Sequence, residues 1–144
     1  MSSRSGRERR FPVPSAAAAS VGAGAIHVAV VPEHLEEAWL FGAFFVACAL
    51  FQFAWAGAIV LSLSPVLSWA GMLGNGAMVA IWAASRTTGL PVGPEPWTPE
   101  AVGVIDIVAT GLELFIVAAT AWWLSAAITR WRDSRPDLSA STAG

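Results

Sequence analysis

No charged side chain occurs between Glu37 and Arg86. A run of that length, built mainly from Ala, Leu, Ile, Val, Phe and Trp, cannot cover the surface of a soluble domain. It exceeds the roughly 20 apolar residues that one helix needs to cross a bilayer. Over the whole chain the apolar residues fall in four blocks, which predict helices at about 15–31, 35–63, 65–86 and 99–128. Of the 144 residues, 56% are hydrophobic and only 12% charged. A soluble domain carries about 25% charged residues, so the balance excludes intrinsic disorder and points to an all-α transmembrane four-helix bundle.

Local signals mark where these helices start. Ser64-Pro65 and Thr98-Pro99 each set an N-cap residue before a proline suited to the first helical position. After Pro32 the acids Glu33, Glu36 and Glu37 suit the first turn of the second helix, where the helix dipole favours negative charge. The stretch from Gly89 to Pro99, with Pro91, Pro94 and Pro96 inside it, reads as a stiff loop.

Charge placement predicts orientation. Arg4, Arg7, Arg9 and Arg10 precede the first block, and Arg130, Arg132 and Arg135 follow the fourth. Positive residues are retained in the cytoplasm, which predicts an N-in/C-in, multi-pass protein of the bacterial cytoplasmic (inner) membrane, with polar cytoplasmic tails at 1–14 and 129–144. Tryptophans fit two interfacial belts: Trp39, Trp82 and Trp97 outside, and Trp55, Trp69, Trp122, Trp123 and Trp131 inside. A competing reading takes Ala23-Gly24-Ala25 as a signal-peptide cleavage site. The run before it lacks the Leu-rich core of such a peptide, so four spans are preferred to three.

Ionisable residues inside a span are costly and read first as functional. Helical spacing sorts the polar residues into stripes. Ser20, Gly24 and His27 share one face of the first helix. His34, Glu37, Phe41, Cys48 and Gln52 share one on the second. Gly71, Asn75, Met78, Trp82 and Arg86 do so on the third, and Gly103, Asp106, Thr110 and Glu113 on the fourth. The stripes should face the bundle interior, with the glycines allowing close helix approach.

Depth then gathers His27, His34, Glu37, Arg86 and Asp106 in one outer-leaflet layer, with Glu113 about 10 Å deeper at a rise of 1.5 Å per residue. Three chemistries compete for this set. The first is a structural network in which Arg86 neutralises Asp106 or Glu37 and a histidine bonds a carboxylate, joined by Glu113, Asn75 and Gln52. The second is a metal site of His27, His34, Glu37 and Asp106, whose two imidazoles and two carboxylates suit Zn, Cu or Fe, although the Arg86 cation opposes it. The third is a proton or ion relay through Asp106 and Glu113, in a small transporter acting as an oligomer.

Other chemistries are excluded. The two histidines flank one tight hairpin and cannot ligate a haem from opposite sides. The single cysteine, Cys48, lies mid-helix as an apolar filler, and no nucleophile elbow, phosphate loop or dinucleotide fingerprint is present. No catalytic constellation emerges, so the chain is not expected to be an enzyme. The near-even charge, 8 basic against 10 acidic, offers no surface for nucleic acid. The expected partners are the lipid bilayer and either further copies of the chain or a larger membrane complex in which it is an accessory subunit.

The segments 27–37 (HVAVVPEHLEE), Gly74-Asn75 with Trp82 and Arg86, 89–95 (GLPVGPE) and 103–113 resemble small, uncharacterised four-helix integral membrane proteins of GC-rich bacteria. The resemblance implies the four-span fold, carries no activity, and groups His27, His34, Arg86, Asp106 and Glu113 as one constellation.

Overall fold

The computed structural model describes residues 13–133, and they form four α-helices: α1 (Val13–Glu37), α2 (Trp39–Leu61), α3 (Pro65–Thr87) and α4 (Val104–Asp133). All four are long and apolar enough to cross a membrane. The helices form a ring in which α1 touches α2 and α4, and α3 touches α2 and α4. Contact is most extensive within the α1–α2 and α3–α4 hairpins and sparsest between α2 and α3. Many large apolar side chains point outward, among them Leu50, Val60, Leu73, Val104 and Ile107. In water such a surface would be an aggregation liability, whereas lipid solvates it without cost.

Helix boundaries differ from the sequence expectation at the α1–α2 turn and at both ends of α4. Pro32 does not end α1 but lies within it, and the helix continues to Glu37 before the single extended residue Ala38 turns the chain into α2. What holds this last turn is tertiary. Leu35 lies directly over Gly42, where any Cβ would overlap it, and the His34 ring meets the Phe45 ring at a centroid distance of 4.2 Å. Glu33, Glu36 and Glu37 therefore sit at the C-terminal end of α1, the wrong end for the dipole. All three are exposed, and the penalty of about 0.3–1 kcal/mol each is small beside the packing.

The second difference is at α4, which starts at Val104 rather than Pro99. Glu100 N–H is held by the Ser85 carbonyl (3.0 Å), which draws that segment away from helical geometry. The helix start is instead a reversed cap: the Asp106 carboxylate accepts from Gly103 N–H at 2.9 Å, as the third residue of a capping box does. At its other end α4 runs through Arg130 and Arg132 to Asp133, so these residues are helical rather than part of a tail beginning at 129. The remainder of the two expected tails, 1–12 and 134–144, lies outside the described residues.

The Ser64-Pro65 start of α3 is as expected, with the Ser64 hydroxyl accepting from Leu67 N–H at 3.2 Å. Towards this end of the bundle the interior is filled. Ala16, Ala17 and Ala19 of α1 meet Trp55, Ala56 and Ile59 of α2 and Ile116 and Ala119 of α4. Gly71 lets α3 approach so closely that an added Cβ would lie 2.5 Å from the Trp55 indole, whose N–H donates to the Leu67 carbonyl at 2.8 Å. Above this core lies a polar layer. The Ser20 hydroxyl contacts the Gln52 side-chain oxygen (2.5 Å), Gln52 donates to Asn75 Oδ1 (2.8 Å), and Asn75 donates to the Gly71 carbonyl (2.8 Å). Ser20, Gln52 and Asn75 are fully buried, so α1, α2 and α3 are tied by groups with no solvent to compete.

The opposite end is built differently. The loop from Thr88 to Gly103 folds back on itself. Gly89 adopts φ 71°, and a side chain there would strike the backbone of Trp97 and Thr98. Gly93, at φ 102°, lies against the Phe41 ring, so the loop roofs the space between the helices. That space is not filled.

Candidate functional site

Beneath the loop, side chains from all four helices line a partly open cavity of about 380 Å³. Its walls are apolar: Ile26 and Val30 from α1, Phe41, Phe44 and Phe45 from α2, Ile81 and Trp82 from α3, Ile105 and Ala109 from α4. Polar side chains interrupt them, among them His34, Ser85 and Thr110 and two ion-paired clusters at different depths.

At the loop end Arg86, in the last turn of α3, sends Nη1 to Glu100 and Nη2 to Asp106 Oδ2 at 2.8 Å. The guanidinium fork thus joins the end of α3, the loop and the start of α4. Its side chain is only 12% exposed, against 42% for Glu100 and 30% for Asp106. The cation is sunk in the protein and the acids face outward, which is how a planar, weakly hydrated guanidinium is best accommodated.

Deeper in the cavity His27 Nε2 lies 3.0 Å from Glu113 Oε1. Both side chains are almost fully buried, at 7% and 3% exposure. The helix boundaries explain the pairing. Because α1 extends to Glu37, His27 lies ten residues, or about 15 Å, below its end; Glu113 lies nine residues, or about 14 Å, below the start of α4. The sequence reading placed His27 a layer higher because it ended the first helix near Val31.

The four residues expected to form a metal site are not brought together. His27 is engaged by Glu113, and Asp106 by Arg86 and Gly103 N–H. His34 turns back on its own helix, with Nδ1 2.8 Å from the Val30 carbonyl; since a carbonyl only accepts, that nitrogen carries the proton. Glu37 faces a separate pocket shared with Glu95 and Glu100. Among the described residues no group of three or more His, Cys, Asp or Glu side chains could hold a metal ion. The Arg86 charge explains the outcome for Asp106, which gains more from a fixed guanidinium than from sharing a site with it.

Of the residues read as a structural network, Arg86 meets Asp106, and Gln52 donates to Asn75, a contact between α2 and α3 that the spacing did not specify. The histidine–carboxylate contact is made by His27 and Glu113. Cys48 is buried within α2. Glu100 was missed: it lies fourteen residues from Arg86 across a proline-rich loop, and no periodicity links them.

Three residues of the cavity wall each hold a buried side-chain nitrogen with no partner among the described residues: His27 Nδ1, Trp82 Nε1 and Arg86 Nε. An unmet buried polar atom costs about 1–3 kcal/mol, a cost that the packing of the surrounding helices carries. Mid-sized apolar cavities with a few convergent polar groups are what small-molecule sites look like. Comparison with known proteins adds nothing to this geometry: no protein family, no curated protein and no solved structure matches the chain.

Proposed function

We propose that the chain is a small multi-pass protein of the bacterial cytoplasmic membrane that binds an apolar small molecule in the outer-leaflet half of its bundle. Both ends lie in the cytoplasm and the 88–103 loop faces outside. The arginine bias of the two tails supports this orientation. The observation that carries the function is the cavity of about 380 Å³ in a bundle whose other half is densely filled. Interiors normally close such voids, so one maintained by all four helices is a candidate for occupancy. The His27–Glu113 pair and the Arg86 fork give it two polar ends.

The test uses radiolabelled undecane, an apolar probe without a head group, and protein in phosphatidylcholine nanodiscs. Retention above that of empty nanodiscs should saturate near one molecule per chain. A109W, which fills the cavity from α4, should abolish it while the protein stays folded by circular dichroism. Retention that never saturates, or that survives A109W, refutes the reading.

A second reading, an accessory subunit packed against a larger membrane complex, is favoured by Gly57 of α2 and Gly111 of α4. Both face outward, and a Cβ at either would meet nothing within 4 Å. Such positions admit a partner helix. G57L and G111L should leave the isolated protein's melting temperature unchanged and break its co-purification with a partner; unchanged co-purification refutes this reading.

A further inference from the structure

The charged groups around the cavity are out of balance. Its wall holds one permanent cation, Arg86, against the carboxyl groups of Glu100, Asp106 and Glu113. Arg86 bonds both Glu100 and Asp106, so that cluster has one acid more than it has bases. A second pocket adjoins the cavity and shares Phe41, Leu90, Val92 and Glu100 with it. That pocket adds Glu37 and Glu95, both exposed, and no basic side chain lines it. A concave surface lined by one sign of charge concentrates counter-ions.

The deep end sharpens the imbalance. Glu113 Oε1 meets His27 Nε2 at 3.0 Å, and His27 Nδ1 is enclosed without a partner. A charged imidazole would carry N–H on both nitrogens and bury one of them unmet. The neutral ring with its proton on Nε2 donates to Glu113 and buries no idle N–H. In that tautomer the histidine brings the carboxylate a hydrogen bond and no positive charge. The second oxygen, Oε2, has no hydrogen bond among the described residues and is not one of the fully enclosed unpartnered atoms. It therefore keeps open surface, and the space that Glu113 lines is the cavity. A carboxylate in an apolar wall is costly until a positive charge reaches it.

The rest of the wall restricts the kind of cation. Phe41, Phe44, Phe45 and Trp82 line the cavity. Aromatic rings attract a cation held among them, most strongly once its water is gone. A metal ion needs several polar ligands, and no group of three His, Cys, Asp or Glu among the described residues could hold one. The volume of about 380 Å³ suits a small organic guest. An anion would add to the negative surplus, and an uncharged guest would leave Glu113 unmatched.

We propose that the cavity binds a lipophilic organic cation, with its apolar body among the aromatic side chains and its charge set against Glu113. This rests on the binding function proposed above and specifies the charge of its ligand.

The experiment compares three probes with the same undecyl chain, each competing for retained undecane in phosphatidylcholine nanodiscs and corrected for uptake by empty ones. They are undecyltrimethylammonium, its uncharged carbon isostere 2,2-dimethyltridecane, and undecanesulfonate. A quaternary head has no N–H, so the first two differ in charge and not in hydrogen bonding. The ammonium should displace undecane at a concentration about tenfold lower than the isostere, and the sulfonate should be the weakest of the three. Its N-methyl proton resonance should move upfield from its position in empty nanodiscs, as protons over aromatic faces do. E113Q, which keeps an acceptor for His27 and removes the charge, should abolish the preference for the ammonium over the isostere. An isostere as effective as the ammonium in the wild-type protein, precedence of the sulfonate, or a preference for the ammonium that survives E113Q overturns the assigned charge while the cavity reading stands. The first two outcomes need no variant, so the proposal stays refutable even if E113Q does not fold. Loss of saturable undecane retention in the wild-type protein overturns both readings.

Discussion

The contact between His27 and Glu113 lends itself to a quantitative test, because it joins two nearly solvent-free side chains from helices far apart in sequence. Replacing Glu113 by Leu leaves the imidazole with both ring nitrogens unpartnered, since Nδ1 already has none. Replacing His27 by Leu strands the carboxyl group. Each single change should cost about 1–3 kcal/mol, the desolvation penalty of an unmet buried group. The double variant H27L/E113L removes both polar groups and leaves apolar side chains in an apolar surrounding, so it should be close to wild type. The coupling between the two changes should therefore be as large as the sum of the two single effects and opposite in sign. At 2–4 °C per kcal/mol for chains near this length, each single variant should melt roughly 2–12 °C lower in detergent, with most of that loss recovered in the double variant. E113Q, which keeps an acceptor in place, should fall between wild type and E113L. Additive losses would refute the pairing; a double variant as unstable as the worse single one would keep it and show instead that two leucines do not fill the site without cost.

Other consequences can be checked in the same preparations. R86A strands two carboxylates and should lower the melting temperature more than E100Q or D106N, each of which leaves the guanidinium one acid; equal effects would argue against the fork. G71V forces a side chain into the Trp55 indole and should both destabilise the protein and shift its tryptophan fluorescence, so an unchanged spectrum would refute the close approach. In a C48A background, a membrane-impermeant maleimide applied to whole spheroplasts should label E95C and not S139C; the opposite pattern would invert the proposed orientation.

The sequence made some of this architecture readable and concealed the rest for identifiable reasons. Helical periodicity reports angle, so the inward placement of Ser20, Gln52, Asn75, Thr110 and Glu113 followed from spacing alone. Ser64-Pro65 was legible because a cap is written in adjacent residues. Depth was not, because it depends on where each helix stops, and those stops are set by distant partners. Pro32 looked like a terminus, but Leu35 over Gly42 carries α1 onward. Pro99 looked like a start, but the Ser85 carbonyl holds Glu100 outside α4. Those two shifts move His27 opposite Glu113 and dissolve the single ionisable layer on which the metal reading rested. The cavity left no sequence signal, since it is a volume enclosed by residues that individually look like core.

The placement of the two polar groups has a mechanical consequence. The Arg86 fork acts within the α3–α4 hairpin, whereas His27–Glu113 spans the two hairpins. Covalently, the hairpins are joined only by the short connection 62–64 at the filled end, which makes that end a fulcrum. Trp82 lies about 25 Å along α3 from this connection, so a tilt of about 5° carries it about 2 Å. Small angular changes are thus amplified where the cavity lies, and they strain the His27–Glu113 contact between α1 and α4 as well as the Gln52–Asn75 bond between α2 and α3. In mechanical terms the two hairpins are jaws hinged at the filled end, with the His27–Glu113 contact as a polar tie across them.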